Sequence, residues 1–204
     1  MVMPLKKNSI SSGSARPTAA SMTILDVAER LAQTRGYNGF SYADIAAHLG
    51  VTKASLHYHF PSKADLGCAL IERYQAGFSA ALEVINSQSA KPMRKLHQYV
   101  GLYDSVLRND RMCLCGMLAA EYETLPAPMQ DRLKVFFDIN ERWLTALLQD
   151  GRRSRSFSFK ESAKGRARLL LAAFEGAMLV ARSYGDSSRF QSAATQLLKN
   201  LIGG

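Results

Sequence analysis

The chain is short of the residues that mark several large classes of protein. Its 204 residues include three cysteines and six prolines, and no apolar run approaches the roughly 18 residues that cross a bilayer. Three cysteines do not make a disulfide framework, which favours a reducing compartment such as the cytoplasm. A phosphate-binding loop and the HExxH and GxSxG signatures are missing as well. These absences count against a membrane protein, a disulfide-stapled secreted domain and the commoner classes of enzyme.

Helix-forming residues, in contrast, are plentiful. Apolar residues make up 47% of the chain. Ala, Leu, Arg, Gln and Met recur at helical spacing, while alternating strand-like runs are scarce. We therefore predict an all-α protein of about nine helices. The predicted units are a disordered basic arm at 1–20, a three-helix head at 21–66 and a six-helix body at 67–204.

Capping residues and helix breakers predict the helix boundaries. Ser41 followed by Asp44 is typical of a capping box, and Gly151 is expected to stop a long helix. Ser158 and Glu161 are expected to cap the apolar helix that runs to Ser183. The other helices predicted for the body cover residues 63–86, 92–108, 112–122, 128–149 and 187–202.

Positive charge is distributed unevenly along the chain, whose formal net charge is +9. Residues 1–21 carry three bases and no acid, and residues 151–168 carry seven bases and one acid. Residues 22–66, by contrast, carry four of each. A basic protein suits a nucleic-acid partner, although its head is neutral. We interpret the cluster at 151–168 as a solvated face, and the arm as either a groove-tracking extension or an unstructured leader.

Residues 40–60 have the spacing of a helix-turn-helix. Ala46 supplies the small residue at which two helices cross, Gly50 suits the turn four residues later, and Leu56 anchors the second helix. The outward face of that second helix has no acid and consists of Thr52, Lys53, Ala54, Ser55, His57, Tyr58 and His59. A plain helical hairpin would satisfy the packing pattern alone. The acid-free, donor-rich face favours a helix that lies beside phosphates.

Three runs in this region resemble the TetR family of repressors. They are GFSYADIA at 39–46, LGVT at 49–52 and LHYHFPSKADL at 56–66. The resemblance covers about residues 22–70. It implies a three-helix DNA-binding head joined by a long fourth helix to a ligand-binding and dimerising body. It also implies a repressor that binds a palindromic double-stranded operator and leaves it when a small effector binds, with activation as an alternative outcome.

The resemblance assigns roles to residues by position. The positions expected at phosphates are Ser41, Thr52, His59 and Lys63. The positions expected at base edges or a thymine methyl are Lys53, Ala54, Ser55 and Tyr58. The family most often has Tyr where this chain has His57, which is expected to make a neutral hydrogen bond to a phosphate.

The body is expected to bind a small hydrophobic or electrophilic effector, without a cofactor or a metal ion. Large apolar side chains supply the candidate pocket, and the indole N–H of Trp143 is expected to orient a ligand. The pocket residues predicted are Tyr103, Cys113, Met117, Phe137, Trp143, Phe174 and Met178. Small residues on the penultimate helix suggest a homodimer formed by the last two long helices, or alternatively an internal core helix. They are Leu169, Ala172, Ala173, Gly176, Ala177, Val180 and Ala181.

The run CLCGMLAAE at 113–121 resembles a segment of a TetR branch that includes electrophile sensors. Arg108, Arg111 and a helix start near Met112 are expected to lower the thiol pKa of Cys113. A thiol-based sensor acting through Cys113 is therefore one alternative, and a buried packing role for Cys113 and Cys115 is the other. Two further alternatives are a helical enzyme with an unrecognised site and a non-specific, nucleoid-type DNA binder.

Overall fold

The computed structural model describes residues 18–202, and all regular structure within that range is helical. The prediction of an all-α fold with nine α-helices is confirmed for these residues. The predicted basic arm lies almost wholly outside them. Thr18 caps the first helix, and its hydroxyl oxygen accepts the N–H of Ser21 at 3.1 Å.

The head consists of α1 (Ala19–Arg35), α2 (Tyr42–Leu49) and α3 (Lys53–His59). Its helices pack around buried apolar residues, among them Ile45 and Leu56. The predicted capping box is confirmed, because Asp44 accepts the Ser41 N–H at the start of α2. Gly50 ends α2 with φ 65°, a left-handed conformation that favours glycine.

The body consists of six α-helices and one 3₁₀ turn at Tyr122–Thr124. The first, α4, packs against the head at its N-terminal end and continues into the body, so it belongs to both units. The remaining helices of the body, in chain order, are α5, α6, α7, α8 and α9. The bounds of the six are Lys63–Gln88, Pro92–Leu107, Leu114–Ala120, Ala127–Arg153, Ala163–Ser183 and Ser188–Lys199.

Two predicted helix boundaries in the body are wrong. α7 continues through Gly151 to Arg153. Gly151 does not end the helix but allows close packing, because a side chain there would overlap with the ring of Phe157. α8 begins at Ala163, where the Ser162 hydroxyl oxygen accepts the N–H of Gly165. Ser158 and Glu161 therefore do not cap it.

The core of the body is rich in aromatic rings. Tyr99, Tyr103, Phe136, Phe174 and Phe190 are all at most 2% exposed. Neighbouring rings meet at centroid distances of 5.4 to 6.4 Å, within the range of favourable aromatic pairs. Within residues 18–202, no helix combines the length and the apolar character needed to cross a membrane.

Candidate DNA-binding and effector sites

The outward face of α3 is exposed as the sequence predicted. Leu56 is 1% exposed and anchors the helix, whereas Tyr58 is 85% exposed. Thr52 caps α3 by accepting the N–H of Ser55 at 3.3 Å. The predicted residues that share this exposed surface are Thr52, Lys53, Ala54, Ser55, His57 and Tyr58. A large aromatic side chain so open to solvent is unusual in a free chain and is available for contact with another molecule.

A shallow cavity of about 310 Å³ brings several predicted phosphate-side residues together. Ser41, His57 and Lys63 line it together with Lys53, which the sequence assigns to a base edge. The cluster therefore joins the N-terminal ends of α2, α3 and α4. Free backbone N–H groups at helix starts favour anions such as phosphates.

His57 has a structural partner within the head. Its ring lies 4.6 Å from the ring of Tyr42, and its Nδ1 is 3.0 Å from the carbonyl oxygen of Pro61. A carbonyl oxygen can only accept, so Nδ1 carries the proton and donates. Nε2 is then the atom left for a contact outside the head. The predicted hydrogen bond to a phosphate stays a prediction.

The side chains of Lys63 and His59, both predicted to contact phosphates, are only partly exposed. The Lys63 ammonium donates to the carbonyl oxygens of Tyr37 and Phe40, at 2.5 Å each. The same ammonium lies 4.4 Å from the ring centroid of Tyr37 and 4.5 Å from that of Phe40. Burial lowers the pKa of Lys63. This lysine therefore holds the loop after α1 against α4, and a DNA contact by Lys63 stays a prediction. His59 is half-buried beside the ring of Tyr58.

Polar contacts fasten the head to the body, and the sequence did not indicate them. Arg73 on α4 pairs with Asp26 and Glu29 on α1, at 2.6 Å each. In a second set of contacts, the Glu121 carboxylate accepts the backbone N–H groups of Tyr37 and Asn38, at 2.5 and 3.1 Å. These contacts join residues 44 to 84 positions apart in the chain. Only the folded arrangement shows them.

The predicted pocket residues form part of the core of the body. Tyr103, Cys113, Phe174 and Met178 are buried, and Met117, Phe137 and Trp143 are half-buried. Trp143 stacks on Tyr99 at a centroid distance of 5.2 Å. Three cavities of about 440, 450 and 480 Å³ open at the head–body junction and along α5, and none of the predicted pocket residues lines them.

Of the two alternatives for Cys113 and Cys115, the structure favours buried packing over an activated thiol. Both Cys113 and Cys115 are buried, at 1% and 0% exposure. Burial raises the thiol pKa of each well above its usual value, and the nearby carboxyl group of Glu175 raises it further. Arg108 and Arg111 do not offset these effects, and α6 begins at Leu114 with Cys113 as its N-cap. The half-buried Cys68 packs against the core.

Buried polar groups next to the predicted pocket were missed from the sequence. The hydroxyl of Tyr99 donates to Asn140 Oδ1 at 3.0 Å and lies 3.0 Å from the hydroxyl of Tyr103. Nearby, both carboxylate oxygens of Glu175 are buried. Glu175 is the single charged residue in the apolar stretch 169–180, but a helical pattern does not show whether such a residue points inward.

One side of α8 exposes apolar residues. Leu169 and Val180 are 50% and 53% exposed, and Ala172 and Gly176 between them are exposed as well. These residues follow helical spacing along one face. Ala181, predicted for the same face, is 1% exposed and belongs to the core.

A head with an exposed, acid-free helix-turn-helix face, joined to a helical body, defines a DNA-binding regulator. Comparison with family models identifies the family of regulators to which the chain belongs. Residues 24–69 match the model for bacterial regulatory proteins of the tetR family, and residues 92–197 match the tetracyclin repressor-like C-terminal domain. The chain belongs to the TetR family.

Individual relatives agree with this assignment. A solved TetR-family regulator from Agrobacterium tumefaciens is 32% identical, with a TM-score of 0.88 over 91% of this chain and 98% of that one. A second, from Legionella pneumophila, is 32% identical with a TM-score of 0.82, over 92% of this chain and 100% of the other. The transcriptional regulator AcuR of Cereibacter sphaeroides is 26% identical over 72% of this chain and 69% of its own length.

Proposed function

We propose that this protein is a repressor that binds its operator as a homodimer and dissociates when an effector binds the body. The exposed, acid-free face of α3 is the observation that most directly supports DNA binding. A relative of 26% identity from Mycobacterium sp. (strain GP1), covering 71% of this chain and 73% of its own length, is named as the transcriptional repressor DhaR. The proposal includes a cytoplasmic location, because that is where the DNA operator would be bound.

In this proposal α3 lies in the major groove and the helix starts hold the backbone. Lys53, Ala54, Ser55 and Tyr58 face the base edges. Ser41, Thr52, His57, His59 and Lys63 lie on the phosphate side. Two heads separated by one DNA turn, about 34 Å, would read the halves of a palindrome.

The apolar face of α8 is the surface we assign to dimerisation, together with α9. Leu169, Ala172, Gly176 and Val180 present small and apolar groups that allow two helices to approach closely. A two-fold interface repeats the same patch on both protomers. The pair of α8 and α9 from each protomer would form a four-helix interface.

The contacts between head and body give the effector a physical route to the DNA. Arg73 and Glu121 hold α1 and the following loop, so a shift of α4 or α6 moves the head. An effector acts only if it binds the shifted state more tightly, and a hundredfold preference corresponds to about 2.7 kcal/mol. The burial of Cys113 gives no support to a thiol-based sensor as the alternative.

Selection of bound sites from random duplexes, followed by affinity measurements on variants, tests the proposal. Tyr58→Ala is expected to weaken binding to the selected site about 10- to 100-fold, because it removes a contact to the bases. Lys53→Ala should weaken binding and also relax the sequence preference at the base that Lys53 contacts. Lys91→Ala, which removes an equal charge from an exposed site before α5, is the control and should bind normally. Unchanged affinity in both α3 variants would contradict the proposal.

A further inference from the structure

The carboxyl group of Glu175 is buried in the body without a partner of opposite charge. Glu175 lies on α8 and reaches α6 at Gly116, where any larger residue would overlap with its carboxylate. Neither carboxylate oxygen accepts a hydrogen bond of ordinary geometry, and both are buried. Removing an unpaired carboxylate from water is unfavourable. Burial accordingly raises the pKa of Glu175 to about 7, and the neighbouring Cys113 thiol, a weak donor, offsets this only in part.

The groups that surround Glu175 carry no positive charge. Those that interact with it electrostatically come from α4, α5 and the start of α6. They are Tyr74, Tyr99, Tyr103, Cys113 and Cys115. Within residues 18–202 no lysine or arginine forms an ion pair with Glu175. The site therefore provides an acceptor and aromatic rings, but not the cation that would complete it.

A cavity of about 450 Å³, lined in part by Tyr74, lies between α1, α4 and α5. Tyr74 and Phe78 form one wall, and Gly77 leaves open space beside them. The Tyr74 hydroxyl interacts with Cys113, which in turn lies beside Glu175. Tyr74 thus lines a cavity large enough for a small organic molecule and also interacts with the unpaired carboxylate.

The charge of this cavity is also negative. Asp26 and Glu29 line it opposite one arginine, Arg73, which pairs with both. Two carboxylates facing one guanidinium leave an excess of negative charge. The faces of Tyr74 and Phe78 add a surface that attracts cations. Both the outer cavity and the buried carboxylate therefore favour a positively charged ligand.

We propose that the effector is a hydrophobic amine that enters through this cavity, displaces the ring of Tyr74 and pairs its ammonium group with Glu175. The apolar part of the molecule lies among the aromatic rings of the body. Displacement of Tyr74 also disturbs the wall of the cavity in which Arg73 pairs with Asp26 and Glu29, which loosens α1. This last step rests on the proposed function, whereas binding of the amine does not.

Three probes with the same apolar part test the proposal: 4-phenylbutylamine, 4-phenylbutanol and 4-phenylbutyrate. Trp143, the single tryptophan of the chain, stacks on Tyr99 beside the site, so its fluorescence reports binding to the protein alone. At pH 7.5 and constant ionic strength, we expect the amine to bind at least about 10-fold more tightly than the alcohol, because a charged hydrogen bond replaces a neutral one. The butyrate should bind most weakly.

Glu175→Gln keeps the shape of the side chain and removes its charge. We expect it to weaken binding of the amine about 10- to 100-fold and to leave the alcohol nearly unchanged. Glu161→Gln, on an exposed side chain before α8, is the control and should bind the amine normally. Equal binding of the three probes by the natural protein, no binding of the amine, or a preference that survives Glu175→Gln would each overturn the proposal.

Failure of this inference is distinguishable from failure of the proposed function. Protein that binds a selected DNA site but shows no amine preference retains the function and loses the inference. Protein that binds the amine through Glu175 but selects no DNA site retains the inference and loses the function.

Discussion

The thiols of Cys113 and Cys115 lie close in sequence to Arg108 and Arg111, yet both are buried in the body. Neighbouring positive charge and a helix start are the usual causes of a reactive thiolate. Here burial raises the pKa of both thiols, and the carboxyl group of Glu175 acts in the same direction. The sequence identifies the arginines, but which way a thiol points depends on how α6 packs against α4 and α8.

The raised pKa of Cys113 leads to a test with a thiol reagent. In the folded protein at pH 7.5, Cys113 and Cys115 should react with DTNB about 100-fold more slowly than in denaturant, because both thiolate formation and access are suppressed. A pKa shifted upward moves thiolate formation to higher pH, so the rate should stay low from pH 7 to 9.

A Cys68→Ser variant is the matched control for this measurement. It removes the half-buried thiol, and the two buried thiols are then observed alone. Rapid labelling of Cys113 in the folded variant would contradict the assignment and revive the thiol-sensor alternative.

At the scale of the helix, α6 connects the effector region with the head. Its N-terminal part holds Cys113 and Gly116 against Glu175. Directly after its C-terminal end, Glu121 accepts the backbone N–H groups of Tyr37 and Asn38. One short helix therefore contacts both the buried carboxyl group and the loop that follows α1.

Glu121→Gln tests this connection. The variant retains an oxygen acceptor but loses the charge that strengthens both hydrogen bonds, and we expect the free energy of unfolding to fall by about 1 kcal/mol. Thermal and denaturant unfolding measure the loss. Glu123→Gln, two residues later on an exposed side chain, should have the stability of the natural protein. Equal stability of the two variants would show that the Glu121 contacts do not hold the head.

Local patterns predicted the head better than the body. The Ser41–Asp44 capping box, the turn at Gly50 and the anchor at Leu56 depend on residues a few positions apart, and the structure has them as expected. The body depends on distant pairs. Ser162, and not the predicted Ser158, is the N-cap of α8, and the ring of Phe157 packs against Gly151. Neither outcome follows from helical periodicity.

On the scale of the whole molecule, the α8 face should determine the oligomeric state. Val180→Asp places an unpaired charge in the proposed two-fold interface on both protomers, so we expect the dimer to dissociate into 22.5 kDa chains. Sedimentation velocity measures this directly. Val135→Asp changes a residue of similar exposure, 46%, on α7, and should leave the dimer intact. A Val180→Asp protein that sediments as the natural protein does would exclude this face.

The family and the fold class could be predicted from the sequence because the helix-turn-helix motif is local and specific. The effector region could not, because its parts come from α4, α5, α6 and α8 and meet only in three dimensions. Glu175 illustrates the difference. Its position in an apolar helix is visible in the sequence, whereas its burial without a cation is a property of the packed body.

The ratio of specific to non-specific DNA affinity tests the central claim most directly. The natural protein would be titrated, at one physiological salt concentration, against the selected palindrome and against a shuffled duplex of the same composition. A sequence-specific repressor should prefer the palindrome at least about 1000-fold. Equal affinity for the two duplexes, or no binding to either, would contradict the account.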